Sequence, residues 1–332
     1  MFAMKKMVFA ITLATLPMVS SHAAEFSKPE IYGFISAGAL KIDNQDLEAE
    51  AFEIELGLKG KAQVQDLNLL YQLEVDLASA ANRADSGDPG KDGEDDIHVK
   101  EAVMRLPTQY GTFVLAARGT SGQWAQLYGP INHYEYNEPH AALNADGIFV
   151  QPDRTSGTFA WASPAVANTR LVMAAITLQE DNDEDADAAS IRVVYNDGKL
   201  HLGAGTTLIQ SEQLPAFTQD DLLLTALSAG YDFGNIQLGA VWEHSDNQPY
   251  PLAPDGSAES DSFGISANIN LGKGFGMAVG YKEKDHEYDA ADESVYMLKF
   301  EKQLDDQVKV WAETGQYDQA DSNYALGVNL RF

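Results

Sequence analysis

Alternation constrains this chain more than any other feature. From residue 30 to the C-terminus, apolar and polar residues exchange places at every step through successive segments of about ten residues. A period of two is that of a β-strand, whose successive side chains leave opposite faces. In residues 262–271, Phe263, Ile265, Ala267, Ile269 and Leu271 share one face and Ser262, Gly264, Ser266, Asn268 and Asn270 the other. Phe275, Met277, Val279 and Tyr281 alternate with Gly276, Ala278, Gly280 and Lys282. Phe52, Ile54, Leu56 and Leu58 alternate with Glu53, Glu55, Gly57 and Lys59, and Leu67, Leu69, Tyr71, Leu73, Val75 and Leu77 form another apolar face. About sixteen such segments fit before the end of the chain. The linkers alternate too. Residues 59–66, 107–111, 197–199, 233–235, 272–274 and 305–307 read as tight turns, and residues 79–96, 179–189, 246–260 and 284–293 as longer polar loops.

Strands like these suit either a soluble sandwich or a membrane-spanning barrel. Past residue 24 no apolar run reaches the roughly 20 residues that a spanning helix needs. In a sandwich the apolar faces form the core and the polar faces meet bulk water. Here the polar faces are rich in Gly, Asn and Ser, with Glu, Lys and Arg interspersed, which suits a wet lumen. Tyr195, Tyr231, Phe233, Trp242, Phe300 and Tyr317 gather near segment ends, as in the interfacial girdles of membrane barrels. Lipid offers no hydrogen-bond partner, so such a sheet must close on itself. The expected fold class is an all-β, transmembrane, antiparallel up-and-down β-barrel of about sixteen strands. A soluble lectin-like β protein is the competing class; it would partition into the aqueous fraction.

The N-terminus reads as a targeting segment. Lys5 and Lys6 precede an apolar stretch broken by Pro17, and Ser21-His22-Ala23 offers small residues for cleavage. Residues 1–23 are expected to be a signal peptide, with a cut after Ala24 nearly as favourable, leaving residues 24–332 as one barrel domain. A membrane anchor is the alternative, but the apolar run is short for one.

Lys and Arg number 22 against 50 Asp and Glu, a net charge of −28 that argues against nucleic acid as a partner. No cysteine is present for a disulfide or a thiolate metal site. The acid collects in loops: residues 180–187 carry six acids in eight positions, and residues 92–96 and 289–293 add more. An acidic rim would concentrate cations at a pore mouth, and could bridge to lipopolysaccharide through divalent ions. Solubility in high salt is the plainer explanation of the same charge. Asp183, Asp185 and Asp187 mimic the start of a calcium loop, but Ala188 replaces its glycine and Val194 its closing glutamate, so no metal site or cofactor is expected. His98, His133, His140, His201, His244 and His286 stand in no nucleophile or zinc motif, which argues against an enzyme.

The last segment is the most specific single feature. Tyr324, Leu326, Val328, Leu330 and the terminal Phe332 form one apolar face, opposite Asn323, Ala325, Gly327, Asn329 and Arg331. A final strand ending in an aromatic residue resembles the signal read by the outer-membrane assembly machinery.

Residues 100–118, KEAVMRLPTQYGTFVLAAR, resemble a stretch of the trimeric Gram-negative general porins: a strand near R-[QE]-A-[FY]-V-G-L, a tight turn, then G-T-[VF]-x-L-G-R. Residues 31–38, IYGFISAG, are similar to that family's Y-G-x-[IVL]-x-A-G start. The chain departs from the pattern at Arg105, where the family usually has Gly, and at Ala117, which replaces the Gly before Arg118; the enteric porins' acidic loop-3 sequence is absent. The resemblance implies sixteen strands, a homotrimer in the outer membrane, and passive diffusion of small hydrophilic solutes and ions. It also implies a third loop folded into the pore, here residues 119 to about 153, with Trp124, Tyr128, His133, Tyr134, Glu135, Tyr136, Glu138 and His140. Glu135 and Glu138 on that loop are expected to face Arg105, Arg118 and Arg154 on the wall, setting a transverse field across a narrow lumen. Alternatively, Trp124, Tyr128, Tyr134 and Tyr136 would form an aromatic slide in a solute-specific channel, for example for an oligosaccharide. A loop 3 lying outside, at a trimer contact, is the further alternative.

Overall fold

The computed structural model describes residues 25–86, 97–137, 147–152, 154–177, 187–254 and 256–332. The expected signal peptide, Glu138 and His140 lie outside them, as does the calcium-like loop except Asp187, whose carboxylate accepts a hydrogen bond from Gln213 Nε2 at 3.0 Å.

Seventeen strands form one sheet: β1 (Glu25–Phe26), β2 (Glu30–Ile42), β3 (Leu47–Val64), β4 (Leu67–Asp76), β5 (His98–Thr108), β6 (Gly111–Arg118), β7 (Thr158–Ala162), β8 (Thr169–Ile176), β9 (Ala188–Asn196), β10 (Leu200–Ile209), β11 (Leu222–Asp232), β12 (Ile236–Pro249), β13 (Ser257–Gly272), β14 (Phe275–His286), β15 (Glu293–Gln303), β16 (Val308–Tyr317) and β17 (Asn323–Arg331). From β2 onward each strand pairs antiparallel with its sequence neighbour, and β17 returns to pair with β2. The seam is completed by Gly33 N donating to Phe332 O at 2.9 Å and Phe332 N to Gly33 O at 3.1 Å. The result is a closed sixteen-stranded meander, with β1 laid along the end of β3 as an appendage. Closure leaves no unpaired edge, which lipid would not tolerate. Two short helices, α1 (Ala78–Ser86) and α2 (Gly122–Leu127), lie in the loops. Among the described residues no helix is long and apolar enough to cross a membrane.

Short turns gather at one rim and the longer loops at the other. The turn between β13 and β14 is built on Gly272, Lys273 and Gly274, all at positive φ, where glycine carries no steric penalty. Some strands outrun their sequence signal. Residues 59–64 continue β3, and the expected loop at 246–260 shrinks because β12 runs to Pro249 and β13 starts at Ser257. Ladder hydrogen bonds carry these polar stretches beyond the point where lipid would require apolar side chains. Conversely, β7 starts only at Thr158, past the expected onset near residue 154.

The apolar faces point outward. Leu238, Ile265, Val279, Leu326 and Val328 are exposed, whereas the opposite faces of the same strands meet loop 3. Tyr231, Phe233, Phe275 and Phe300 ring the short-turn end of this belt, and Trp242, Tyr281, Tyr296 and Tyr324 the other. Tyr317, expected in a girdle, instead points inward and donates to Asn137 Oδ1 at 3.1 Å. Above Tyr281 the outer face of β14 turns acidic with Glu283 and Asp285, which marks the edge of the apolar belt.

Among the described residues five ladders carry register shifts, β2–β3, β4–β5, β5–β6, β12–β13 and β13–β14, and two of these change the expected facing of a named side chain. On β3 the register slips at Phe52, whose ring packs at 5.3 Å from Trp311 and 5.7 Å from Tyr136 rather than joining Ile54 and Leu56 outside. On β6 the extra residue is Ala117, so Arg118 pairs with Ala102. Directly opposed residues share a face. Ala102 lies between the buried Glu101 and Val103, so Arg118 shares its outward side and is exposed.

Candidate functional site: the lumen at loop 3

The described residues between β6 and β7, 119–137, 147–152 and 154–157, enter the barrel. Their described side chains and backbone meet side chains from β9, β10 and every strand from β12 to β17, a set one segment can reach only from inside the ring. The inward-folded loop 3 is therefore found, and an external position is ruled out.

Apolar packing holds its first half. Trp124, Leu127, Tyr128, Ile131, Tyr134 and Phe149 pack with Ala226, Val241, Ala278, Val295 and Met297 on the wall. Trp124 and Tyr128 stack at 4.1 Å, and Phe149 meets Tyr128 edge-on at 5.3 Å. Glycines on the wall permit this approach. A Cβ at Gly239 would sit 1.8 Å from the Pro130 carbonyl oxygen, and one at Gly280 would sit 2.4 Å from Tyr134 Oη. Glycine on the inner faces of these strands thus makes room for loop 3 rather than merely lining water. The same packing removes the aromatic slide: Tyr128 is 0% exposed, and Trp124 and Tyr134 are buried against the wall.

Buried charges on the wall latch the backbone. Loop 3 has little regular structure, so its N–H and C=O groups need other partners. Glu243 on β12 accepts from Val150 N at 2.6 Å, from Gln151 N at 3.1 Å, and from the Tyr128 hydroxyl. Glu313 on β16 accepts from Glu135 N at 2.8 Å and Asn137 N at 2.6 Å. Lys282 and Lys284 on β14 donate to the carbonyls of Asn137 at 2.9 Å and Gly147 at 2.8 Å. Carboxylates take the amides and ammoniums take the carbonyls, each bond strengthened by its charge.

Glu135 occupies the innermost stretch. Its carboxylate meets Lys299 Nζ at 3.1 Å and Lys309 Nζ, and accepts from Asn329 Nδ2 at 2.7 Å. Glu301 completes the group, 3.1 Å from Lys299 and 3.5 Å from Lys309. Burial alone would raise the Glu135 carboxyl, but the two lysines overcome it and hold the group down at about 2.

Loop 3 leaves an aqueous space of about 610 Å³ against β2, β3 and β15–β17. Its charged lining is Glu53, Glu55, Glu135 and Glu301 with Lys59, Lys299, Lys309 and Arg331. The aperture is therefore charged but near neutral. Lys100 bridges Glu53 and Glu55 on this wall.

The expected partners of Glu135 are not the observed ones. Arg105 faces the lumen but bonds Gln72 Oε1 at 3.3 Å. Arg118 is turned outward by its bulge. Arg154 lies on the returning limb of loop 3, not on a wall strand, and pairs with Glu101 on β5 at 3.1 Å. The residues that hold the loop, namely Lys299, Lys309, Glu243, Glu313, Lys282 and Lys284, carried one signal in the sequence. Each is a charge at inward parity, as Lys282 is beside Gly280.

A narrowed lumen inside a closed sixteen-stranded barrel agrees with a family profile that the sequence matches, Gram-negative porin, over residues 10–323. The chain belongs to the Gram-negative porin family. No individual curated sequence matches it. Among solved structures, the porin is similar to Salmonella typhi OmpF in complex with daunomycin, with a TM-score of 0.74, 14% identity, and coverage of 92% of this chain and 97% of that one. It is similar to the trimer form of OmpT, an outer membrane protein of Vibrio cholerae, with a TM-score of 0.68, 16% identity, and coverage of 94% and 100%. An anion-selective porin from Comamonas acidovorans aligns with a TM-score of 0.68, 14% identity, and coverage of 93% and 100%. Identities this low speak for the fold alone. Together, family and fold place the porin in the bacterial outer membrane as a channel, and point away from an enzyme.

Proposed function

We propose that this porin is a homotrimeric, cation-preferring channel for passive diffusion of small hydrophilic solutes and ions. The observation that carries the reading is charge separation along the axis. The aperture lining is four acids against four bases. Among the described residues the long-loop rim instead carries Asp43, Asp46, Glu48, Glu212, Asp220, Asp221, Glu287, Asp289, Asp318 and Asp321, all exposed, with Lys41 and Arg118 among the opposing charges nearby. At the short-turn rim Lys61, Lys199, Lys273 and Lys302 mix with Asp66, Asp197, Asp232 and Asp305. Long loops face outward in bacterial barrels, so a solute meets the acidic rim first, where cations concentrate and anions thin out.

The trimer is supported by the fold shared with a neighbour described as a trimer form. Contact of the outer belt with lipid and lipopolysaccharide, and recognition of the Tyr324–Phe332 face by the assembly machinery, belong to the same proposal. The test is single-channel conductance with reversal potential in a planar bilayer under a KCl gradient. Steps arriving in threes with a cation-biased reversal potential are expected. A zero or anion-biased potential overturns the selectivity, and silence from folded, heat-modifiable protein overturns the channel.

A further inference from the structure

A recess of about 200 Å³ lies between α2 and the inner faces of β5–β9, and no residue lines both it and the main aperture. Its charged lining is Arg105 and Arg192, with no carboxylate among the described residues. In a chain of net charge −28 that is a local reversal of sign. Several other lumen bases meet acids: Lys299 and Lys309 have Glu135, Lys100 has Glu53 and Glu55, and Arg154 has Glu101. Arg105 and Arg192 instead bond the neutral amides of Gln72 and Gln126. Arg192 is only 8% exposed, and a buried guanidinium without a counter-charge is costly. Ser190, 6% exposed, lines the same recess, and its buried hydroxyl has no partner among the described residues. Two guanidiniums and an unused hydroxyl in one cavity are a donor set without an acceptor.

We infer that this recess binds a small oxyanion, a carboxylate or a phosphate, entering from the lumen. A guanidinium presents paired N–H groups that fit such oxygens, and Ser190 supplies a further donor. At ~30 Å³ per water the space holds about seven waters, enough for an ion of five heavy atoms with some of its hydration but not for a disaccharide or a nucleotide. Anions thereby gain a resting place in a pore whose mouth disfavours them.

The test reads binding rather than conduction, so it is independent of the selectivity reading. Folded, detergent-extracted protein is titrated calorimetrically with sodium phosphate, and separately with sodium acetate, at pH 7 and fixed ionic strength. Ser190→Ala removes a hydroxyl that bonds nothing, and Arg105→Gln loses one weak hydrogen bond, so both variants keep the fold. One saturable site per chain is expected, weakened about tenfold in Arg105→Gln and about threefold in Ser190→Ala. Phosphate or acetate should also raise the melting temperature of the unsubstituted protein and not that of Arg105→Gln. Binding of either ion alone supports the site and narrows its preference. No saturable heat with either ion, or equal affinity in all three proteins, overturns it.

Discussion

At Glu243 a single carboxylate, 1% exposed, serves three donors of loop 3. Glu243→Ala leaves the amides of Val150 and Gln151 buried without an acceptor, at a cost of about 1–3 kcal/mol each. A lower melting temperature and noisier open-channel current are expected, with the noise recorded in a planar bilayer. Glu135 makes a different contribution. Its charge offsets Lys299 and Lys309, so Glu135→Gln leaves the two ammoniums to share Glu301 alone and adds net positive charge beside the aperture. The reversal potential should move toward anions, and an unchanged potential would dismiss the pairing. Because the folded carboxyl titrates at about 2 against an ordinary 4.5, its contribution to stability is complete above pH 4.5 and is lost as pH falls from 4.5 toward 2. A melting temperature that drops across that window in the unsubstituted protein, and less in Glu135→Gln, is the matching measurement. The sequence offered Glu135 as a charge on loop 3, but the partners it meets were not legible. Lys299 and Lys309 lie more than 160 positions away, and only the closed ring brings β15 and β16 to the loop.

At the scale of the strand, parity does most of the specifying. Tyr324, Leu326, Val328, Leu330 and Phe332 all emerge on the outer face, while Asn329 on the other side reaches Trp311, Ser36 and Glu135. Leu326 lies on the outer face well inside the apolar belt, so Leu326→Arg should cost about 2–4 kcal/mol. Urea unfolding in lipid vesicles would show a lowered midpoint, and a midpoint unaltered by the charge would contradict the outward assignment. Strand existence and facing were readable because an apolar face repeated every second residue has few other uses. Two of the failures fall at bulges. One extra residue at Phe52 or Ala117 reverses everything beyond it, and neither site announces itself by Gly or Pro. Inner-face glycines are ambiguous in sequence for another reason, since the same Gly suits water and a packed loop equally; Gly239 is decided only by where Pro130 lies.

Across the whole molecule, charge is sorted by height: acid at the long-loop rim, balance in the aperture and at the opposite rim. Rim charges act at a distance and are screened by salt, whereas charges lining a narrow passage act at contact. The Debye length shrinks from ~30 Å at 0.01 M to ~3 Å at 1 M salt. Cation preference should therefore be strong in dilute KCl and fade toward neutrality near 1 M, read as the permeability ratio across a salt series. A ratio independent of salt would move the selectivity from rim to aperture.

Loop 3 is rooted at β6 and β7 and fastened by charged bonds to β12, β14 and β16. Mechanically, that makes it a chord across a hoop. A bare hoop of sheet flattens easily when squeezed from the side, because its ladders hinge at every strand pair. A chord fixed to opposite arcs stops the hoop from widening along that line or narrowing across it. Changes in the lateral pressure of the surrounding bilayer are thus carried by the loop as tension instead of being passed to the bore, and the same bonds that narrow the opening keep its shape constant.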